Sequence, residues 1–152
     1  MEKHDEHGHS EEKGPDEKVA VYFAREFGFS FDQLHSLMEF FDAMREFSHH
    51  LTENHYYSET LNSKVVNCTL ELHSLALELK AVELQAGELG AEACKAILIG
   101  KEPNIDKTLF AAFQKRFADA RKRSLAVHAS LLQLVDEIKR EYQQKKFTAG
   151  GV

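Results

Sequence analysis

Between Phe29 and Ala86 the chain contains neither glycine nor proline. A sheet-rich fold needs turn residues about every 8–12 positions, so a stretch of this length without a breaker predicts a few long helices instead. The glycines and prolines that do occur are concentrated at punctuation points: Gly14-Pro15, Gly28, Gly100 to Pro103, and Gly150-Gly151 near the end. With 152 residues there is room for one ordinary domain and not two. The expected fold is all-α: an up-down bundle of three long helices with a short N-terminal helix across one end and coiled-coil-like packing.

Residues 1–14 are rich in histidine and acid and are expected to form a disordered tail. The domain is expected over 15–147, with a frayed tail at 148–152. Pro15 suits a first helical position, and Asp16 and Glu17 suit the positive end of a helix dipole. Val19, Tyr22, Phe23 and Phe27 then give a short helix one apolar face, and Gly28 stops it. Ser30 to Gln33 reads as a capping box for a second helix, whose seam is Leu34, Leu37, Phe41, Met44, Ser48 and Leu51, widened by Met38, Phe40 and Phe47. A cluster of cap-forming residues places a turn near residues 54–58; the alternative is one continuous helix.

The third helix, from about Ser58 to Ile99, carries two apolar rows. Leu61, Val65, Cys68, Leu72, Leu75, Leu79, Val82, Ala86, Leu89 and Ala93 alternate spacings of four and three, the signature of a packed seam. Leu70, Leu77, Leu84, Ala91 and Leu98 repeat every seven residues, roughly 160–200° away at ~100° per residue. A helix apolar on two opposite sides is covered on both, so the second row is either core or an interface. Gly87 and Gly90 lie inside this helix, where each costs about 1 kcal/mol relative to Ala, which points to a close approach or a bend. After Gly100 to Pro103, Asn104 is the expected cap of a fourth helix with the seam Phe110, Phe113, Phe117, Ala120, Ser124, Val127, Leu131, Leu134, Ile138 and Tyr142.

The net charge of −6 is unevenly distributed. Residues 1–100 carry 8 Lys/Arg against 19 Asp/Glu, and residues 101–152 carry 11 against 6. Lys115, Arg116, Arg121, Lys122 and Arg123 concentrate positive charge in the middle of the fourth helix. They could balance Glu78 to Glu92 of an antiparallel third helix or meet an acidic protein partner. An acidic chain with no Trp and no stacking platform is a poor nucleic-acid binder. The polar start excludes a secretory signal, and no apolar run approaches the roughly 20 residues of a membrane span, so no membrane insertion and a cytoplasmic location are expected. Cys68 and Cys94 belong to no CxxC or Cys/His ligand set and are expected as small core residues.

Nine histidines raise the question of a metal. His4, His7 and His9, beside Asp5 and Glu6, can share an ion loosely. His55 and Glu59 have the HxxxE spacing of a helical site, which resembles the hemerythrin di-iron motif and would imply a metal-binding four-helix bundle. The pattern then departs from that family, because His73 is followed four residues later by Leu77 rather than histidine. Glu46-Phe-Ser-His49 supplies one ExxH of the ferritin kind, with Glu46 facing water. His73, with Lys80 on the same side of its helix, loosely resembles the histidine-containing phosphotransfer family, which would imply a phosphoacceptor imidazole. That family's HxLK core is absent, since Ala76 follows His73-Ser-Leu75. His128 is expected as a structural histidine at a core edge.

No cofactor is implied, and no nucleophile elbow, phosphate loop or dinucleotide fingerprint is present. The expected function is therefore non-enzymatic: a helical interaction or regulatory protein, a homodimer, whose recognition surface is a long helix face. The stripe Leu70, Leu77, Leu84 and Leu98 is the expected interface, and Arg116, Arg121, Lys122 and Arg123 are the expected charged contact.

Overall fold

A computed structural model describes residues 13–53 and 57–149, with side chains described as far as Lys145. Among these residues there are four helices and no strand: α1 (Pro15–Phe27), α2 (Phe31–Thr52), α3 (Glu59–Leu98) and α4 (Lys107–Ala149). The helices pack against one another, and α3 touches each of the other three. Residues 1–12 of the tail expected over 1–14 lie outside the described residues, as does the centre of the turn expected near 54–58.

The ends of the elements follow local chemistry. Pro15 opens α1. Gly28 closes it at φ 61°, a left-handed conformation that costs glycine little. There its N–H donates to the Ala24 carbonyl at 3.0 Å, and the Phe29 N–H donates to Phe23 at 3.2 Å. Gly100 closes α3 in the same way at φ 73°. The backbone leaves the helical conformation at Glu53 and at Ser58, so α2 and α3 are separate helices rather than one continuous rod. Ser58 then caps α3 by accepting from the Leu61 N–H at 3.3 Å.

Two cap assignments need correction. The Ser30 hydroxyl accepts from Asp32 N–H at 3.2 Å rather than from Gln33, because the Gln33 N–H is taken by the Ser30 carbonyl at 3.1 Å. The cap of α4 is Asp106, not Asn104. Its carboxylate accepts from Thr108 and Leu109 N–H groups at 2.7 and 3.0 Å. The reason is tertiary: Ile105 is buried, and its N–H donates to the Tyr22 hydroxyl at 3.0 Å, which holds the linker out of the helix.

The α3 seam is buried at every position from Leu61 to Ala93, with Leu75, Leu79, Val82 and Ala93 fully enclosed. The α4 seam is buried from Phe110 to Leu134, and Ile138 is half-buried. Ser124 meets its own buried hydroxyl by donating to the Ala120 carbonyl at 2.8 Å. Tyr142 departs from the expected core and is 69% exposed. Its neighbour α3 has begun by then: Glu141 accepts from the Ser58 N–H at 3.4 Å, so α4 overhangs the start of α3 beyond that point. Phe47, expected to widen the α2 seam, is also exposed at its edge. α4 remains helical to Ala149, farther than the expected fraying point.

At the other end the core is aromatic. Phe23, Phe27 and Phe29 of α1 and its linker meet Phe110 and Phe113 of α4, with Phe27 stacked on Phe110 at 4.0 Å and Phe29 edge-on to Phe113 at 5.3 Å, and Phe31 at the start of α2 lies edge-on to Phe23 at 5.1 Å. Phe23 and Phe110 are enclosed, so each ring contributes both apolar burial and edge or face contacts of about 0.5–1.5 kcal/mol per pair. Phe110→Ala should therefore cost about 3–5 kcal/mol in urea unfolding, against within about 0.5 kcal/mol for Tyr142→Ala.

Glu141 supplies a pH signature. Hydrogen bonding to the Ser58 side chain, then to its backbone, holds the carboxyl below its ordinary value against some desolvation, with Lys145 adding to the effect. A depressed folded-state pKa contributes stability above the unfolded carboxylate value, and that contribution disappears as pH falls through the folded one. Amide exchange at Leu61 should accordingly be faster in Glu141→Gln than in the parent at pH 7, and the two rates should converge in acid.

Candidate functional site

The stripe on α3 points away from the core. Leu70, Leu77, Leu84 and Leu98 are 60–75% exposed, while every residue of the opposite seam is buried. Val66 and Ile99 extend the apolar surface at its ends, also exposed. The ambiguity left by two opposite apolar rows thus resolves in favour of a surface: α1, α2 and α4 all pack on the seam side and on its flanks.

Around the stripe the surface is nearly free of acids. Three or four residues from its members lie His73, Ser74, Lys80, Ala81, Gly87, Glu88, Cys94 and Lys95. Glu71, Glu78, Glu83 and Glu92 sit one residue from stripe positions, about 100° around the helix. Gly87 borders the stripe with open space where a Cβ would be, whereas a Cβ on Gly90 would lie 3.8 Å from the Phe31 ring. The two glycines therefore differ: Gly90 sits in an internal contact with α2, and Gly87 leaves a shallow place on an outer face.

The basic group of α4 divides in two. Arg123 donates to Glu78, and through its other terminal nitrogen to the Ser74 hydroxyl at 2.7 Å. Lys64 pairs with Glu137 at 2.7 Å. In these pairs the α3 number rises as the α4 number falls, so the two helices run antiparallel. The same register sets Arg116 across from Gln85, an amide that cannot neutralise it. The Gln85 Oε1 is buried with no hydrogen-bond partner among the described residues. Arg116, Arg121 and Lys122 are exposed and make no ion pair among the described residues. Of the expected charged contact, Arg123 is thus occupied inside the chain and the other three cations are exposed without a counter-ion among the described residues.

Two grooves flank α2. The one between α2 and α3, about 550 Å³, has Asp42, Arg45, Glu46, Ser48 and His49 on one wall and Thr69, Leu72, His73 and Ala76 on the other. It brings His73 opposite Glu46 and His49, an approach between distant sequence segments that spacing along one helix does not reveal. His73 is exposed there, and His49 pairs with Glu53 at 2.9 Å. Among the described residues no group of three or more His, Cys, Asp or Glu side chains is gathered as a metal site would require. His4, His7, His9 and His55 lie outside the described residues, and Glu59 is an exposed residue of the first turn of α3.

The groove on the other side of α2, against α4, was missed by the sequence reading. Gln33, Phe40, Phe117, Arg121 and Leu125 line it. The signal was available: Leu125 and Leu132 stand seven residues apart, off the α4 seam, and are 56% and 54% exposed. His128 lies half-buried between them in sequence, its ring 5.1 Å from Phe40, as befits a core-edge histidine.

Cys68 is a buried seam residue and Cys94 is half-buried; both are free thiols. Burial, and then the charge of Glu71, push the Cys68 thiol up. Among the described residues, no helix is long and apolar enough to cross a membrane.

No protein-family model, curated protein or solved structure matches the chain.

The division of the basic group can be tested by stability alone. Arg123→Ala should destabilise the protein by about 1 kcal/mol, because it strips Glu78 and Ser74 of a shared, partly covered donor. Arg121→Ala should stay within about 0.5 kcal/mol of the parent in the same urea titration.

Proposed function

We propose that the protein is a non-enzymatic interaction or regulatory protein that acts as a homodimer, with the outer face of α3 as its recognition surface. The observation that carries this reading is the exposure of Leu70, Leu77, Leu84 and Leu98 on one line of a helix whose opposite side is the core. The architecture behind it is an up-down bundle of α2, α3 and α4 with α1 across one end. The antiparallel α3–α4 ion pairs support that reading, and the alternating four-three spacing of buried positions supports coiled-coil-like packing. Two free thiols suit a reducing cytoplasm, where a regulatory or signalling role would be exercised.

Area and charge favour a second copy as the occupant. From Val66 to Leu98 the face runs about 48 Å at ~1.5 Å per residue and is about 10 Å wide. That is on the order of 500 Å² per copy and 1,000 Å² for a pair, the size at which a specific interface becomes tenable. A long acidic helix would ordinarily repel itself. Here the residues three or four positions from the stripe include one acid, Glu88, against Lys95 and Lys80, and Glu83 at the edge is itself paired with Lys80 at 3.8 Å, so two copies can approach without stacking bare carboxylates. Gly87 lets the backbones come close in the middle of the face.

The decisive variant is Leu77→Lys with Leu84→Lys. Both side chains are exposed, so helicity and thermal unfolding of the isolated subunit should change little. In sedimentation equilibrium the parent should weigh as a dimer and the variant as a monomer. A parent that is monomeric at every accessible concentration, or a variant that unfolds, refutes the reading.

A further inference from the structure

The α2–α4 groove is a second surface whose lining is selective in charge. It continues toward α1, where a contiguous groove of about 340 Å³ shares Gln33, Phe117, Arg121 and Leu125 with the first, of about 370 Å³, and adds Lys122. The floor and walls are apolar or neutral, with Phe40, Phe117 and Leu125 the large contacts. No Asp or Glu lines either groove, in a chain with 25 acids against 19 lysines and arginines. The contrast with the other side of α2 is direct, since Asp42 and Glu46 line the groove facing α3. Arg121 and Lys122 at the rim have no counter-ion among the described residues.

An apolar trough with unbalanced cations on one edge complements a specific kind of occupant. We infer that the α2–α4 groove docks an acidic amphipathic helix of a protein partner, its apolar side against Phe40, Phe117 and Leu125 and its carboxylates against Arg121 and Lys122. A helix fits because both walls are helices running alongside one another, and helix-in-groove recognition uses apolar anchors at i, i+3, i+4 and i+7. Carboxylates fit because a neutral or basic helix would leave the two cations uncompensated or repelled. Leu132 and Phe47 stand one heptad beyond Leu125 and Phe40 on the same two helices and are also exposed. This surface is distinct from the outer face of α3 and does not depend on dimerisation.

The test titrates the full-length protein with a synthetic helical peptide of about 18 residues, some 27 Å long. It carries leucines at i, i+3, i+4 and i+7 and glutamates on the flanks; a second peptide has lysines in place of the glutamates. Calorimetry gives affinity, and amide chemical shifts locate the site. The acidic peptide should bind at least about tenfold more tightly than the basic one, with shifts at Gln33, Phe40 and Leu125. Arg121→Glu with Lys122→Glu, both at exposed positions, should invert that order, and Leu77→Lys with Leu84→Lys should leave it unchanged.

Equal affinity for the two peptides, no binding of the acidic one, or shifts confined to α3 overturns the inference. So does binding of phosphatidylglycerol vesicles through the groove in preference to the acidic peptide, which would make the occupant an anionic membrane surface. Loss of self-association in the Arg121→Glu, Lys122→Glu variant also overturns it, because the occupant would then be a second copy.

Discussion

Burial of the α3 seam is the constraint on which the other elements depend. From Leu61 to Ala93 one line of small and medium aliphatic side chains supplies a wall against which α1, α2 and α4 all pack. Because a single helix serves all three neighbours, the flanks of that line are divided among them: Glu78 and Lys64 face α4, while Gly90 and Ala76 face α2. Three neighbours on one side leave none for the other. The outward position of Leu70, Leu77, Leu84 and Leu98 follows from how the core is shared, and it requires no separate explanation in terms of exposure.

Much of this arrangement was legible in the residues, for an identifiable reason. Alternating four-three spacing is a local property, so the buried positions of α3 and most of those in α4 could be read without knowing what they touch. Gly28 and Gly100 could be read because a left-handed stop is also local. What could not be read was register. Asp106 rather than Asn104 caps α4 because Tyr22, more than eighty residues away, holds Ile105. Tyr142 leaves the core because Ser58 marks the end of its neighbour. Arg123 is spoken for and Arg121 is not, although one residue separates them, because only the first lies on the α3 side of the helix.

The candidate site shares that limit. Heptad spacing could place the four leucines on one line and could not say whether that line was inside. Nor could any single-helix periodicity show that α2 separates an acid-lined groove from an acid-free one, because each groove has half its wall on another helix. The uneven charge along the sequence, which suggested wholesale pairing between α3 and α4, is used sparingly: Glu78–Arg123 and Lys64–Glu137 join the two helices, and the remaining charges mostly decorate separate surfaces. Pairing of exposed charges adds little to stability, so the sequence is free to use them for discrimination between partners.

The aromatic end has a consequence for how the molecule opens. α1 has 13 residues, a length at which a helix alone in water is marginal. Its helical state therefore persists only while Phe23 and Phe27 are seated against Phe110. Undocking and melting of α1 become one event, and that event uncovers the Phe110 ring and releases the Ile105 N–H from Tyr22 at the same moment. α1 is in this sense a folded plug. Its helicity reports whether the end of the core is closed, and anything that captured residues 15–27 in an extended form would expose the aromatic floor beneath them.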